Sequence, residues 1–494
     1  MTTAPEAATA PPGPGHEHAP GPGEIAGDIL ERTSRADFGR WETQLANTGH
    51  CRRPVRLHGR IDAIDLATGE TAPVYSTDSE PDGVLLVACG NRREAVCPPC
   101  SDVYKRDARQ LVRAGLAGGK DIPETVSAHP CVFATFTAPS FGPVHSRRKK
   151  GATMLPCRPR RDAHARRCPH GHDISCPHRH ADDDPRLGRP LCPDCYDYAA
   201  AVLFNARAGD LWRRFTTYLP RHLAALTGRS VRALRSEAAI RYVKVAEYQA
   251  RGVVHYHAVI RLDAPGDTYQ PPLPWLTASL LCQAIKDAAA AVGIATGPEP
   301  GHPDIPARML RFGAQTDTRP IRHSPDLPGT GHALDGQAVA NYIAKYATKT
   351  LDAPGLPHRR LRSGLDIPAL RCSPHYREMI TAAWRLGARL ALDDPRLRQW
   401  AHMLGYGGHF LTKSRRYSVT FGQLRRARSQ HRRRQQHPGG ERDPWGRPLD
   451  ETIVLIIRSW EYAGTGHQTP ADVELALAAA ARAREHDDWA ARAA

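Results

Sequence analysis

Glu247-Tyr-Gln-Ala-Arg-Gly-Val-Val-His255-Tyr-His257-Ala-Val-Ile-Arg-Leu-Asp263 decides the fold of this chain. The runs Arg241 to Tyr248 and Val253 to Leu262 are rich in β-branched and aromatic residues, and Arg251-Gly252 between them is a turn signal. The stretch therefore reads as a β-hairpin. Residues two apart on a strand share a face, so His255 and His257 point together, while Val254, Tyr256, Ala258, Ile260 and Leu262 point into a core. A hairpin symmetric about Arg251 sets Glu247 across from His255, within cross-strand contact. Two imidazoles and a carboxylate then converge as a candidate divalent-metal site. Two strand histidines alone would read as a solvated face; the carboxylate at the matching register and the apolar opposite face favour the metal.

A second motif lies far downstream in Asn341-Tyr342-Ile-Ala-Lys345-Tyr346-Ala-Thr-Lys349. Asp335 is a fitting N-cap, and Val339, Ile343 and Ala347 form a helical apolar stripe. Tyr342 and Tyr346 are neighbours on one helix face, as are Lys345 and Lys349. In isolation such a helix buries its tyrosines and solvates its lysines. Beside a His-Glu-His metal site, a tyrosine hydroxyl is a candidate nucleophile.

The His-hydrophobic-His strand followed by Tyr-x-x-Lys resembles the HUH endonuclease superfamily of rolling-circle initiators and relaxases. Phe133-Ala-Thr-Phe-Thr137-Ala-Pro139-Ser-Phe141 resembles the first motif strand of those initiators, which ends in Thr-x-Pro. The hairpin motif, Leu191-Cys-Pro-Asp-Cys-Tyr-Asp-Tyr and His409-Phe-Leu-Thr-Lys-Ser-Arg-Arg-Tyr are similar to RepSA-type initiators of actinobacterial plasmids and integrative conjugative elements. The resemblance runs from about Cys51 to Arg428. It implies an α+β fold, with an antiparallel five-stranded sheet whose central strands carry the metal ligands and whose faces carry helices. It also implies attack by tyrosine on a DNA phosphate, leaving a 5′-phosphotyrosyl link and a 3′-hydroxyl that primes synthesis. Two tyrosines on one face match initiators that perform two successive transesterifications.

The chain has 494 residues, enough for roughly two to four domains. Its net charge of +17 and pI near 9.6 favour a polyanionic partner, although GC-rich coding also inflates arginine. No apolar run approaches membrane-spanning length and no signal pattern opens the chain, so a cytoplasmic protein is expected. Residues 1–23, mostly Pro, Gly, Ala and Thr, are expected to be disordered. A zinc-binding module follows over 24–120, then a nuclease domain over 128–350 with an insertion at about 145–198. A basic DNA-contacting region over 351–440 and a helical tail over 441–494 complete the expected order. Segments near 297–306 and 323–331 are Pro/Gly-rich loops, and Arg311 to Arg319 reads as a strand.

Most cysteines fall in two clusters, which in a cytoplasmic protein reads as metal binding rather than disulfides. Cys89, Cys97 and Cys100, with Cys51 upstream, supply the ligands of one tetrahedral zinc. The second cluster offers more ligands than one ion uses: Cys157, Cys168, His170, His172, Cys176, His178, His180, Cys192 and Cys195. Cys192 with Cys195 is the clearest pair and Cys168 with Cys176 its simplest complement. Cys157, His170 or His180 could replace one of them or serve a further ion. About two zinc ions per chain follow from the four-ligand rule.

Candidate DNA contacts are Arg147, Arg148, Lys149 and Lys150 in the insertion, and Lys413, Arg415 and Arg416 downstream, where Phe410, Tyr417 and Phe421 are interleaved. Oxygen and nitrogen donors at Glu247, His255 and His257 suit Mg²⁺ or Mn²⁺. Expected partners are single- and double-stranded origin DNA, with host helicase and polymerase. The rival readings are a relaxase or single-strand transposase of similar chemistry, and a zinc-dependent DNA-binding regulator whose His-x-His is structural. No Gly-x4-Gly-Lys-Ser/Thr loop is present, against a large fused relaxase.

Overall fold

A computed structural model describes residues 21–160, 167–266, 269–296, 306–322, 334–349, 356–357, 359–389, 396–436, 442–447 and 454–493. The chain divides into two compact units, Met1–Val103 with Arg433–Ala494, and Tyr104–Arg432. In chain order, the first unit opens with α1 (Pro22–Ser34), α2 (Phe38–Asn47), β1 (Val55–Asp65), β2 (Thr71–Ser76) and β3 (Leu85–Val87). The division falls inside α3 (Pro98–Ala117). The second unit continues with β4 (Cys131–Phe136), β5 (Arg148–Lys150), β6 (Thr153–Leu155), α4 (Tyr198–Leu226), α5 (Val231–Glu237), β7 (Ala239–Tyr248) and β8 (Val254–Asp263). Then come α6 (Ala278–Ala291), β9 (Ile294–Thr296), β10 (Arg308–Leu310), β11 (Thr316–Arg322), β12 (Leu334–Asp335) and α7 (Gly336–Lys349). It closes with α8 (Pro374–Arg389), β13 (Leu411–Lys413) and α9 (Phe421–Gln436); β14 (Val454–Thr465) and α10 (Pro470–Ala493) return to the first unit.

In the first unit β14 pairs antiparallel with β1 along its length, from Val55 opposite Thr465 to Asp65 opposite Val454. Ala476 of α10 packs with Trp41 and Leu45, and buried Arg32 is paired with Asp472 at 2.7 Å and Asp82 at 2.9 Å. The segment expected as a helical tail over 441–494 thus supplies this unit with an edge strand, paired with β1 along its length, as well as a helix. Long-range strand pairing of this kind leaves no local signal in sequence.

The second unit is built on a sheet of order β12-β11-β4-β8-β7-β13. Five strands are antiparallel, as expected, and the two-residue β12 adds a parallel edge beside β11. The expected strand at 311–319 begins later, at Thr316, where pairing with Phe136 starts. Both sheet faces are covered. Leu211, Phe215 and Leu219 of α4, Leu281 and Ile285 of α6, and Met379 and Ile380 of α8 bury Phe136, Tyr256, Ala258 and Ile260. On the other face Leu111 and Val112 of α3 and Val339 and Ile343 of α7 bury Val243, Val245 and Val259. His255 and His257, in phase with Val259, therefore lie on the α7 face. Cover on both faces leaves β8 buried almost throughout, its polar His257, Arg261 and Asp263 included.

The β7–β8 turn is held from several sides. Gln249 N–H donates to Val253 O at 2.9 Å and Gly252 N–H to Gln249 O at 2.8 Å. Gly252 has φ +72, and a Cβ there would lie 2.7 Å from Met379 Sδ, so only glycine fits. Fully buried Asn205 of α4 donates to Gly252 O and Leu404 O and accepts from Val254 N–H, at 2.8–2.9 Å. The guanidinium of Arg251 donates to Pro139 O at 2.7 Å and Ala138 O at 2.9 Å, tying the turn to the end of the Thr137-Ala-Pro139 segment.

At the opposite end of β8, buried Arg261 donates to both carboxylate oxygens of Asp263, at 2.6 and 2.8 Å, and His129 Nδ1 lies 2.8 Å from Asp263 Oδ1. Burial alone would raise the Asp263 pKa, but the bonds from His129 and Arg261 outweigh it and hold the carboxyl below its usual value. Its stabilising contribution is thus present above the carboxylate range and is lost as pH falls through the lowered pKa. Asp263→Ala leaves a buried guanidinium uncompensated and is expected to cost about 3–5 kcal/mol. Chemical denaturation of the variant checks this, and a loss under about 1 kcal/mol contradicts it.

Candidate metal and nucleophile site

The antiparallel register of β7 and β8 pairs Glu247 with His255 and Val245 with His257. Glu247 Oε2 lies 2.9 Å from His255 Nε2 and 3.1 Å from His257 Nε2. One ligand atom from each of the three residues falls within 4.8 Å of the others, close enough to share one ion. Burial pushes the Glu247 pKa up, but the contacts with His255 and His257 outweigh it and leave the carboxyl below its usual value. Burial lowers the pKa of His257. Ionised carboxylate and neutral imidazole are the forms a divalent ion requires.

His257 is oriented from behind. Its Nδ1 lies 3.1 Å from Thr135 Oγ1 on β4, opposite it in register. With Nδ1–H donating to this hydroxyl, Nε2 keeps its lone pair for a metal. Phe133, two residues back on the same face, stacks on the His257 ring at 5.7 Å. The first motif strand thus supports the second, a role that the sequence reading did not give to Phe133 or Thr135. Spacing could have flagged both, since they alternate in phase with Thr137.

The helix α7 starts where expected, with Asp335 Oδ2 accepting from Ala338 N–H at 3.0 Å. Its packing through Val339 and Ile343 brings Tyr342 over the site. The Tyr342 hydroxyl lies 3.4 Å from His257 Nε2, and its ring meets His257 and Phe133 edge-on. Tyr342 remains 38% exposed. Lys345 is exposed on the same helix. Tyr346 and Lys349 belong to α7, but their side chains lie outside the described residues.

Among the described residues, cysteine and histidine donors form three groups of four. Cys51, Cys89, Cys97 and Cys100 converge as expected, with Cys51–Cys97 and Cys89–Cys100 sulfur separations of 3.7 Å. Zinc-bound thiolates stand at about this separation, since Zn–S bonds of about 2.3 Å at tetrahedral angles span roughly 3.8 Å. The second expected set requires correction. Cys168, Cys192 and Cys195 gather with His170, whereas Cys176 lies with Cys157, His180 and His145. Cys176 is in a short ladder with Arg158, and this pairing carries it away from the Cys192-Pro-Asp-Cys195 turn. His145 lies outside the dense cluster in sequence, and no spacing rule singled it out.

The expected DNA contacts separate by position. Lys149 and Lys150 are exposed on the β5–β6 ribbon, Arg148 donates to Pro156 O at 3.3 Å, and Arg147 is paired with Asp182. Arg415 is exposed and Arg416 is half-buried beside Arg241. Lys413 is turned inward: its ammonium donates to the carbonyls of Ser414, Arg415 and Ser418, and burial lowers its pKa to about 8. Phe410 and Tyr417 are core residues and Phe421 stacks on Tyr104, so these rings pack the protein rather than wait for unpaired bases.

Comparison with known proteins places the chain among replication initiators. Residues 37–481 match the RepSA family, described as replication initiator protein, pSAM2, and the chain belongs to that family. A replication initiator protein of Streptomyces ambofaciens is 44% identical over 455 residues, which cover 91% of this chain and 91% of that one. No solved structure matches the chain. Among the described residues, no helix is long and apolar enough to cross a membrane.

Replacing Thr135 with Val removes the acceptor for His257 Nδ1 while keeping the side-chain volume. Mn²⁺ affinity, followed by titration calorimetry, is expected to fall about 10–100-fold. Unchanged affinity would show that Thr135 does not orient the ligand.

Proposed function

We propose that this replication initiator nicks and rejoins one strand of its origin DNA through Tyr342, in the manner of a rolling-circle HUH endonuclease. The observation that carries the reading is the Tyr342 hydroxyl 3.4 Å from the Nε2 donor atom of His257, inside the Glu247/His255/His257 set. The donor set fits Mg²⁺ or Mn²⁺: one carboxylate and two imidazoles converge, and one imidazole has its far nitrogen engaged. When bound there, such an ion supplies Lewis-acid polarisation of the scissile phosphate.

The remaining steps fall to residues of the chain. Tyr342 gives up its phenolic proton to solvent, and its oxygen bonds to phosphorus as the bond to the 3′ oxygen breaks. The departing oxygen takes up a proton and becomes the 3′-hydroxyl that primes synthesis. The phosphodiester energy is kept in the 5′-phosphotyrosyl ester, so the reverse step rejoins the strand without ATP. Lys345, one turn below Tyr342, steadies the negative phosphate. Tyr346 and Lys349 are the candidates for a second transesterification. Origin DNA, duplex and single-stranded, meets the exposed Lys149, Lys150 and Arg415, and host helicase and polymerase extend the primed end in the cytoplasm. Zinc in the Cys51/Cys89/Cys97/Cys100 and Cys168/His170/Cys192/Cys195 groups holds the flanking segments.

Cleavage of a single-stranded origin oligonucleotide tests the proposal. His255→Ala with His257→Ala is expected to lower Mn²⁺-dependent nicking by at least about 10²-fold while duplex binding persists. Full nicking by the double variant refutes the metal site. Duplex binding without any cleavage by the unaltered chain instead supports the non-catalytic regulator.

A further inference from the structure

The donor group not used above is His145, Cys157, Cys176 and His180. Its four ligand atoms lie within 4.8 Å of one another, with His145 Nδ1 3.2 Å and Cys176 Sγ 3.4 Å from His180 Nε2. Tetrahedral Zn–N and Zn–S bonds of about 2.0–2.3 Å place donors roughly 3.3–3.8 Å apart, which these spacings approach. Cys157, Cys176 and His180 are all at least nine-tenths buried, and an imidazole at that depth needs partners for both ring nitrogens.

The surrounding contacts are those of ligands rather than of a packed core. His180 Nδ1 lies 2.7 Å from Asp184 Oδ2, and Asp184 is in turn fixed by the Arg186 guanidinium at 2.8 and 3.1 Å. A carboxylate behind an imidazole fixes the tautomer that leaves Nε2 free for a metal. Ser146 N–H points at Cys157 Sγ from 3.1 Å and holds the sulfur in place. The two cysteines sit on facing backbones: Cys176 exchanges both backbone hydrogen bonds with Arg158, and Cys157 N–H donates to His178 O.

The group also has a mechanical connection. His145 N–H donates to Arg189 O, and Gly188 N–H donates to His145 O, both at 2.9 Å. Gly188 has φ +81, and a Cβ there would lie 2.1 Å from the backbone carbon of Ala250. The ribbon that carries His145 therefore rests directly on the backbone of the β7–β8 turn. The same turn receives the Tyr376 hydroxyl at Ala250 O and His375 Nε2 at Arg251 O.

We infer that His145, Cys157, Cys176 and His180 bind a structural zinc ion that clamps the insertion against the β7–β8 turn and so holds the hairpin carrying Glu247, His255 and His257. This ion is a third zinc, beyond the two donor groups assigned above, and its presence does not depend on the nicking reading.

Zinc content of the full chain, purified without chelator and measured by mass spectrometry of the metal, is expected to be three per chain. Cys157→Ser with Cys176→Ser is expected to hold two. In that variant, amide exchange of the peptide spanning 249–253 should rise at least about tenfold. Asp184→Asn keeps all four donors and serves where the double variant fails to fold; one of its three ions should pass to a chromophoric chelator about 10–100-fold more readily. Two or fewer zinc ions in the unaltered chain, or no loss in the cysteine variant, overturns the site. Loss of one ion with exchange at 249–253 unchanged overturns the clamp.

Discussion

Everything at the site depends on the register of one antiparallel pair. Glu247 meets His255 because Tyr248 pairs with Val254 around a short turn. A slip of one residue would turn Glu247 to the opposite face from both histidines and dissolve the donor set. The protein opposes such a slip with groups that only this register satisfies. Asn205 uses both amide donors on Gly252 and Leu404 and accepts from Val254 N–H, and a slip would strand these buried partners at about 1–3 kcal/mol each. Arg251 adds a second lock by spanning from the turn to the carbonyls of Ala138 and Pro139.

A second consequence follows from covering both sheet faces. Packing α7 onto the face that carries His255 and His257 is what brings a tyrosine to the metal donors, through Val339 and Ile343 against Val243, Val245 and Val259. The apolar residues of the helix and Tyr342 have separate tasks on one surface. Val339 and Ile343 fix the height and rotation of the helix; Tyr342, one residue before Ile343, then meets Phe133 and His257 on the central strands. Charges inside the layers are balanced locally, as Arg261 with Asp263 and His129 illustrate. Lys244 has a different solution: its ammonium sits 3.8 Å above the Tyr256 ring, and burial lowers its pKa to about 7.

The hairpin, its register and the N-cap of α7 were legible in the sequence because each is a short-range pattern: alternation, a turn dipeptide, an Asp before an apolar stripe. The Cys97–Cys100 and Cys192–Cys195 pairs were legible for the same reason. The sorting of the insertion's ligands was not. Cys176 and Cys168 are equally plausible partners for Cys192 by spacing, and only the ladder between Arg158 and Cys176 separates them. The pairing of β1 with β14 joins residues about four hundred positions apart, and no local signal announces it. Lys413, Phe410 and Tyr417 read as a DNA surface because basic and aromatic residues alternate there. In the fold the aromatics fill the core and the lysine closes a loop of carbonyls. Composition shows which residues could touch DNA; burial decides which of them stay at the surface.

The central claim is that the Tyr342 hydroxyl is the nucleophile beside the Glu247/His255/His257 set. Trapping the protein on a single-stranded origin oligonucleotide, digesting it and locating the residual nucleotide by tandem mass spectrometry tests this most directly. The account predicts a phosphotyrosyl nucleotide on Tyr342. A nucleotide found only on another residue, Tyr346 included, would contradict it.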